Sequence, residues 1–238
     1  MAPTSVLMKI RRDLTGSVDE ATKNGFQRFF KEQVTCYGVK SSTVGQIARN
    51  HWNSIQFMGK EEIFGLCEAL FSSGYCEEAF IASNLTPRLS HSYTPSDLSI
   101  FKDWIDKYID NWAKCDSFCN HTVGSLLKRF PDCSSSVVDW ARSKNRWLRR
   151  ASAVSFIVPA RRGDFLAEVF AVADIMLVDP DDMVQKGYGW LLKEASRCHQ
   201  GEVLDYVLRN RGAMPRTALR YAIELMPQEL RARAMARD

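Results

Sequence analysis

Long apolar runs are missing from this chain of 238 residues. None approaches the roughly 20 residues that a bilayer-spanning helix needs. The start, Met1–Gly16, mixes apolar, polar and charged side chains and lacks the apolar core of a signal peptide. Paired cysteines are also missing. The seven cysteines, at 36, 67, 76, 115, 119, 133 and 198, form no Cys-x-x-Cys pair, and the four histidines are scattered, so no zinc template fits and no metal is expected. Cys67, set in the apolar-periodic run EEIFGLCEALF, reads as a buried reduced thiol, which implies a reducing, intracellular compartment. Gly/Ser linkers and charge blocks that would divide the chain are absent. Strand-like alternation is nearly absent too: Ala153–Val158 is the one run that could be a strand, and it is too short and isolated to build a sheet.

What is present is helical spacing. Apolar residues are 45% of the chain and charged residues 25%, ordinary globular usage. In 97–109 the apolar positions are Leu98, Phe101, Trp104, Ile105 and Tyr108, one face of a helix. Ile63, Phe64, Leu66, Cys67 and Leu70 form another such face, as do Phe165, Leu166, Val169, Phe170 and Val172. Prolines 87, 95, 131, 159, 180, 215 and 227 mark successive joints. Trp112, Trp147 and Trp190 recur at intervals of 35 and 43, close to the period of HEAT-type helix pairs. The expected fold is therefore all-α: an α-α superhelix, or solenoid, of about six HEAT-like pairs of roughly 40 residues each. It should form one domain over 1–238, with residues 1–20 a peripheral N-terminal helix.

The net charge of +4 is unevenly spread. Residues 1–120 carry 13 Lys/Arg and 14 Asp/Glu, whereas 121–238 carry 19 and 14, and 15 of those 19 cations are arginine. An arginine-rich half suits an anionic partner, because the guanidinium fork matches phosphate oxygens.

Three segments carry more specific chemistry: NWAKCDSFCNHTVGSLL (111–127), NRWLRRAS (145–152) and VQKGYGWLLKE (184–194). Together, in order and spacing, they resemble the DNA alkylation repair family of AlkD-like glycosylases. The first matches a Trp four residues before an Asp, then a Gly (Trp112, Asp116, Gly124). The second matches a Trp-Leu-x-Arg, with Arg150 at the position of the family's site arginine. The third matches a lysine followed by Gly-Trp, with Trp190 as its Trp. The likeness extends from about Phe26 to the C-terminus, through Tyr37-Gly38-Val39-Lys40 in the N-terminal third.

The resemblance implies a concave basic groove for duplex DNA carrying alkylated bases. It also implies hydrolysis of the N-glycosidic bond of N3- and N7-alkylated purines such as 3-methyladenine and 7-methylguanine, without flipping the base into a pocket. Asp116 is then the catalytic carboxylate, and Trp112, Trp190, Arg150 and Phe29 contact the lesion or its backbone. Arg149, Lys144, Arg146, Lys186, Lys193 and Arg216 are lesser phosphate contacts. No cofactor, no membrane and no second subunit is implied: the protein would be a monomer in the cytoplasm or nucleoid, or in the nucleus of a eukaryote. Two positions depart from the family. Phe29 stands where a Tyr is common, so the ring is kept and the hydroxyl lost, and Ala113 stands where an Asp is frequent.

Read one at a time, these residues have plainer roles. A Trp on a solenoid helix packs the core, Asp116 is a solvated helix residue or cap, and Arg149-Arg150 is an exposed pair. Trp52, Trp104, Trp140 and Trp147 are read as core. Two other functions use the same architecture: a non-catalytic protein binding damaged, bent or branched DNA, and a helical-repeat protein-interaction scaffold.

Overall fold

A computed structural model describes residues 3–236, and among these the fold is helical; the β geometry consists of one bridge between Thr35 and Tyr75. No helix is long and apolar enough to cross a membrane among the described residues. The run Ala153–Val158 is helical on both sides of a turn at Phe156, not a strand. The chain groups into two compact units, up to Phe118 and from Cys119.

The first unit holds α1 (Pro3–Thr15), α2 (Glu20–Phe26), α3 (Ser41–Ile55), α4 (Lys60–Ser72), α5 (Cys76–Leu85), α6 (Asp97–Tyr108) and α7 (Trp112–Phe118). Met1 and Ala2 lie outside the described residues; in the rest of the 1–20 segment α1 is an N-terminal helix with one buried face. Val6, Ile10 and Leu14, spaced four apart on one face of α1, are fully buried, and α1 packs on α3 and α4. Removing three such side chains from water stabilises the unit by about 1.5–3 kcal/mol each. The α4 and α6 faces close the core as their spacing predicts. Phe64, Phe71, Phe101, Trp104 and Phe118 meet at centroid distances of 5.1–6.0 Å, mostly tilted or edge-on, the arrangement that ring quadrupoles favour. Tyr108, the last residue of the α6 pattern, is only half-buried, and its hydroxyl donates to Glu68 at 3.1 Å. Cys67 is fully buried, and burial raises its thiol pKa.

The Tyr37–Lys40 motif is a buried carboxylate trap. Glu77, fully buried on α5, accepts the backbone N–H groups of Tyr37 (3.0 Å), Gly38 (2.8 Å) and Val39 (3.0 Å). Beside it Glu78 takes the Tyr37 hydroxyl at 2.6 Å and a forked pair of bonds from Arg11 at 3.1–3.2 Å. Gly38 has φ +91°, and a Cβ there would lie 2.4 Å from that of Lys23. Only glycine meets both conditions.

The second unit holds α8 (Gly124–Arg129), α9 (Ser134–Asp139), α10 (Arg146–Ser155), α11 (Ile157–Ala160), α12 (Leu166–Ile175), α13 (Asp182–Ala195), α14 (Gln200–Asn210), α15 (Arg216–Ala222) and α16 (Gln228–Met235). It opens with a π turn, Cys119–Val123. α10 stops at Ser155, four residues before Pro159, whose ring would clash with the Ser155 carbonyl in a continuous helix. α13 is the centre of the unit: it packs on α10, α11, α12 and α15 and buries Val184, Tyr188, Leu191, Leu192 and Ala195. Its glycines permit this. A Cβ on Gly189 would lie 2.7 Å from the Ala218 carbonyl oxygen and from Tyr221 Cβ of α15, and one on Gly187 would press on Arg150 of α10 at 3.4 Å. The α12 face is narrower than its sequence suggests. Val169, Val172 and Ala173 are buried, Phe165 caps the helix at φ 61°, and Phe170 stacks on Tyr206 at 5.0 Å.

Candidate functional site

In the first unit the candidate residues gather at the start of α7. Asn111, fully buried, accepts the Lys114 backbone N–H at 3.1 Å and so caps the helix. Lys114, 1% exposed, donates its ammonium to the Gly74 carbonyl at 2.9 Å and to Asp110 at 3.0 Å. The α7 N-terminus is thereby tied to the turn between α4 and α5. With Ala113, Lys114, Cys115 and Phe118 facing inward, Trp112 and Asp116 share the half-buried face, one turn apart. The Trp112 ring is fixed on two sides. It stacks on Phe30 (centroids 5.6 Å, planes 24° apart), which stacks on Phe26 (5.4 Å, 22°). Its indole N–H donates to the Phe29 carbonyl at 3.2 Å. The Phe29 ring is 72% exposed. The structure thus brings together Trp112, Asp116 and the Phe26–Phe30 segment; that segment's part in holding Trp112 was not read from sequence, although four phenylalanines between 26 and 80 line the site. A cavity of about 400 Å³ opens there, walled by Phe26, Phe29, Phe30, Phe80 and Trp112.

In the second unit the candidates lie on α10, α13 and α15. Asn145 caps α10 by accepting the Trp147 N–H at 2.8 Å, and Asp181 caps α13 by accepting those of Met183 and Val184 at 2.8 and 3.3 Å. These caps bring an acidic turn against a basic helix. Arg149 forks onto Asp179 (2.7 and 3.3 Å), and Arg146 reaches Asp181 at 3.2 Å while its guanidinium lies 4.5 Å over the Trp147 ring. Arg150 is 5% exposed and donates Nη1 to the Met183 carbonyl. It is a buried link between α10 and α13, against the plain reading of an exposed Arg149-Arg150 pair. Lys186 pairs with Asp182 at 3.3 Å and Lys193 with Glu224 at 3.1 Å. Arg216 lies 3.5 Å from the Met235 carbonyl at the end of α16, and Lys144 is exposed.

Trp190 is half-buried, and its indole N–H donates to Glu194 Oε1 at 3.3 Å, one turn on. Glu194 is 3% exposed and takes Arg161 at 2.8 Å and Arg197 at 2.6 Å on its other oxygen. Burial alone would raise this carboxyl's pKa, but the bonds from Arg197, Arg161 and Trp190 hold it below its ordinary value. Sequence reasoning passed over Glu194 because its arginine partner Arg161 lies 33 residues away. The other tryptophans read as core, Trp104, Trp140 and Trp147, are buried; Trp52 is half-buried with Arg88 5.6 Å over its ring. Among the described residues no group of three or more His, Cys, Asp or Glu is placed to hold a metal ion.

A sequence model of the family described as DNA alkylation repair enzyme matches residues 10–226. Among solved structures, the chain is similar to a predicted DNA alkylation repair enzyme from Enterococcus faecalis: TM-score 0.79, 14% identity, with 89% of this chain and 98% of that one covered. It is also similar to the alkylpurine DNA glycosylase AlkC of Pseudomonas fluorescens, bound to DNA containing an abasic site analog: TM-score 0.53, 16% identity, with 97% of this chain and 64% of that one covered. At these identities the likeness is one of fold, a helical-repeat fold. No curated protein matches the chain.

Proposed function

Because this chain belongs to the DNA alkylation repair enzyme family, we propose that it is a DNA glycosylase that hydrolyses the N-glycosidic bond of N3- and N7-alkylated purines in duplex DNA. The observation that carries the reading is at α7: an indole fixed by a stack and a hydrogen bond, with a carboxylate one turn further on the same face. Alkylation at N3 or N7 makes the purine cationic and a good leaving group. As the bond breaks, positive charge moves to the deoxyribose, and the transition state becomes oxocarbenium-like. A carboxylate near C1′ stabilises that state more than the ground state, which is what lowers a barrier. It also orients the attacking water. Asp116 takes this role. No electron or group carrier is required by this hydrolysis, and the proposal includes none.

Trp112 and Trp190 pack against the sugar-phosphate backbone at the lesion, so the alkylated base is not enclosed. Each ring already has its N–H committed, to Phe29 and to Glu194, so it offers DNA a flat apolar face in a set orientation. Phe29 contacts the lesion, Arg150 acts from its buried place between α10 and α13 by orienting the residues around it, and Lys144, Arg146, Arg149, Lys186, Lys193 and Arg216 supply phosphate contacts. Most of these cations are already paired with carboxylates. Phosphate therefore replaces a partner rather than meeting a bare charge, and the loss of affinity with salt is set by the net number of phosphates neutralised. The protein works as a monomer inside the cell, in base excision repair. The test is release of 7-methylguanine or 3-methyladenine from methylated duplex DNA.

A second reading, a non-catalytic binder of damaged or branched DNA, is favoured by Ala113 and Phe29, where the family carries polar groups. DNA affinity without base release on any alkylated substrate would select it.

A further inference from the structure

Six arginines and two glutamates lie between residues 209 and 236, and of the arginines only Arg216 enters the function proposed above. We infer that the groove between α15 and α16 docks an acidic amphipathic helix of a partner protein, held by arginines at the rim and by apolar contacts on the floor. This groove shares no lining residue with the hydrolytic site.

Two short stretches of chain build the groove. α15 and the turn after it supply Arg220, Ile223 and Glu224. α16 supplies Gln228, Arg231, Ala232 and Met235. These four stand at i, i+3, i+4 and i+7, one continuous stripe of the helix. The α16 wall is anchored: Ala234 is fully buried, and Arg211 donates to the Arg233 carbonyl in the last turn at 3.1 Å. The space between the two stretches is about 430 Å³, within the roughly 300–1,000 Å³ of pockets that hold ligand groups. Ile223, Ala232 and Met235 give it an apolar floor.

Charge and shape together select the occupant. Arg220 and Arg231 are exposed and have no ion-pair partner among the described residues. Glu224, the one acid of the lining, is already paired with Lys193 at 3.1 Å. The rim therefore presents positive charge that nothing answers, and a guanidinium fork matches a carboxylate two oxygens at a time. The floor requires apolar side chains at the same place. A nucleic-acid backbone would satisfy the arginines and leave the floor wet, because its phosphates and sugars are polar. An acidic peptide with apolar anchors satisfies both. The lining is helix and turn and offers no strand edge, so a bound peptide must close its backbone hydrogen bonds within itself, as a helix does. Anchors at i, i+3, i+4 and i+7 of that helix meet the floor, and carboxylates on its flanks meet Arg220 and Arg231.

The probe is a fluorescein-labelled peptide of about four turns, lactam-bridged because free helices of that length are marginal in water. It carries Leu at i, i+3, i+4 and i+7 and Glu on its flanks. Binding to the full chain is read by fluorescence anisotropy at fixed salt. Wild type should bind it at least about tenfold more tightly than a control peptide with Ser in place of Leu, since each buried methylene contributes about 0.8 kcal/mol. Arg220→Glu/Arg231→Glu, two exposed changes that should leave Tm near wild type, should weaken the Leu peptide at least about tenfold, because like charges then face each other. Ala232→Glu, which puts a charge on the floor, should do the same. Base release from methylated duplex DNA by the double variant should stay at the wild-type rate. No binding of the Leu peptide by wild type overturns the proposal. So does equal binding of the Ser peptide, or affinity unchanged by the substitutions. An undamaged duplex that displaces the peptide, and that the double variant binds at least about tenfold more weakly, gives the groove to DNA and overturns it as well.

Discussion

Glu77→Gln is the most exacting single test of how the N-terminal segment is held. Oε1 of the wild-type carboxylate accepts two amides, from Gly38 at 2.8 Å and Val39 at 3.0 Å, and Oε2 accepts Tyr37 at 3.0 Å. Glutamine keeps the shape but turns one oxygen into a donor. With its oxygen at the Oε1 position it still serves Gly38 and Val39, while its NH₂ faces the Tyr37 N–H, donor to donor. The reverse orientation strands two amides instead of one. A hydrogen bond to a charged acceptor contributes about 1.5–3 kcal/mol, and a stranded buried donor costs about 1–3 kcal/mol. Losing the buried charge offsets part of this. The net destabilisation should be roughly 2–3 kcal/mol. For a chain of this size each kcal/mol moves Tm by roughly 2–4 °C, so a fall of about 4–12 °C is expected. Glu77→Ala, which strands all three amides, should cost more, about 3–5 kcal/mol. The assay is thermal unfolding by circular dichroism, with urea unfolding as the independent measure. A Glu77→Gln protein within about 0.5 kcal/mol of wild type, the range of an ordinary surface substitution, would refute the role given to this carboxylate.

Glycine positions supply a paired prediction. Gly189→Ala pushes a Cβ to 2.7 Å from the Ala218 oxygen and Tyr221 Cβ and should destabilise by about 1–3 kcal/mol. Gly65→Ala, in α4 with nothing within 4 Å of its Cβ, should stabilise by about 0.5–1 kcal/mol; thermal unfolding of both separates close helix approach from helix propensity. His199 should give a pH signature. Its hydrogen bonds to the Gly163 carbonyl and to Glu202 raise its pKa above the ordinary 6.5. A group whose folded pKa is raised stabilises fully below its unfolded pKa and loses that contribution as pH rises through the folded value. Wild type should therefore gain more Tm than His199→Gln on moving from pH 8 to pH 6, and equal pH profiles would dismiss the effect. Lys144→Glu should weaken duplex binding and lower the slope of log K against log[salt] by about 1; an unchanged slope removes Lys144 from the DNA contacts.

The helices were legible because their signal is local. The Leu98, Phe101, Trp104, Ile105 face is buried as spaced, and Pro159 ends α10 as its missing N–H requires. Side-chain fates set by distant partners were not legible. Arg149 and Arg150 are adjacent in sequence, and nothing local says that one meets Asp179, 30 residues on, and the other the Met183 carbonyl, 33 residues on. The cap chemistry of α13 decides it, by bringing Asp179 and Asp181 to α10. The Trp112 site divides the same way. Trp112 and Asp116 were readable as one face from a four-residue spacing, whereas the Phe29 carbonyl that holds the indole is 83 residues away. Glu77 was invisible for the same reason: its partners lie 38–40 residues back.

The central claim is that Asp116 supplies the negative charge at the breaking glycosidic bond. Base release from duplex DNA carrying 7-methylguanine, followed by chromatography of the freed base under single-turnover conditions, tests it directly. Wild type should release 7-methylguanine. Asp116→Asn, nearly isosteric but uncharged, should lose at least about 100-fold in rate, the scale of removing one pre-organised electrostatic group, with duplex affinity equal or tighter. Release by Asp116→Asn at the wild-type rate would contradict the account.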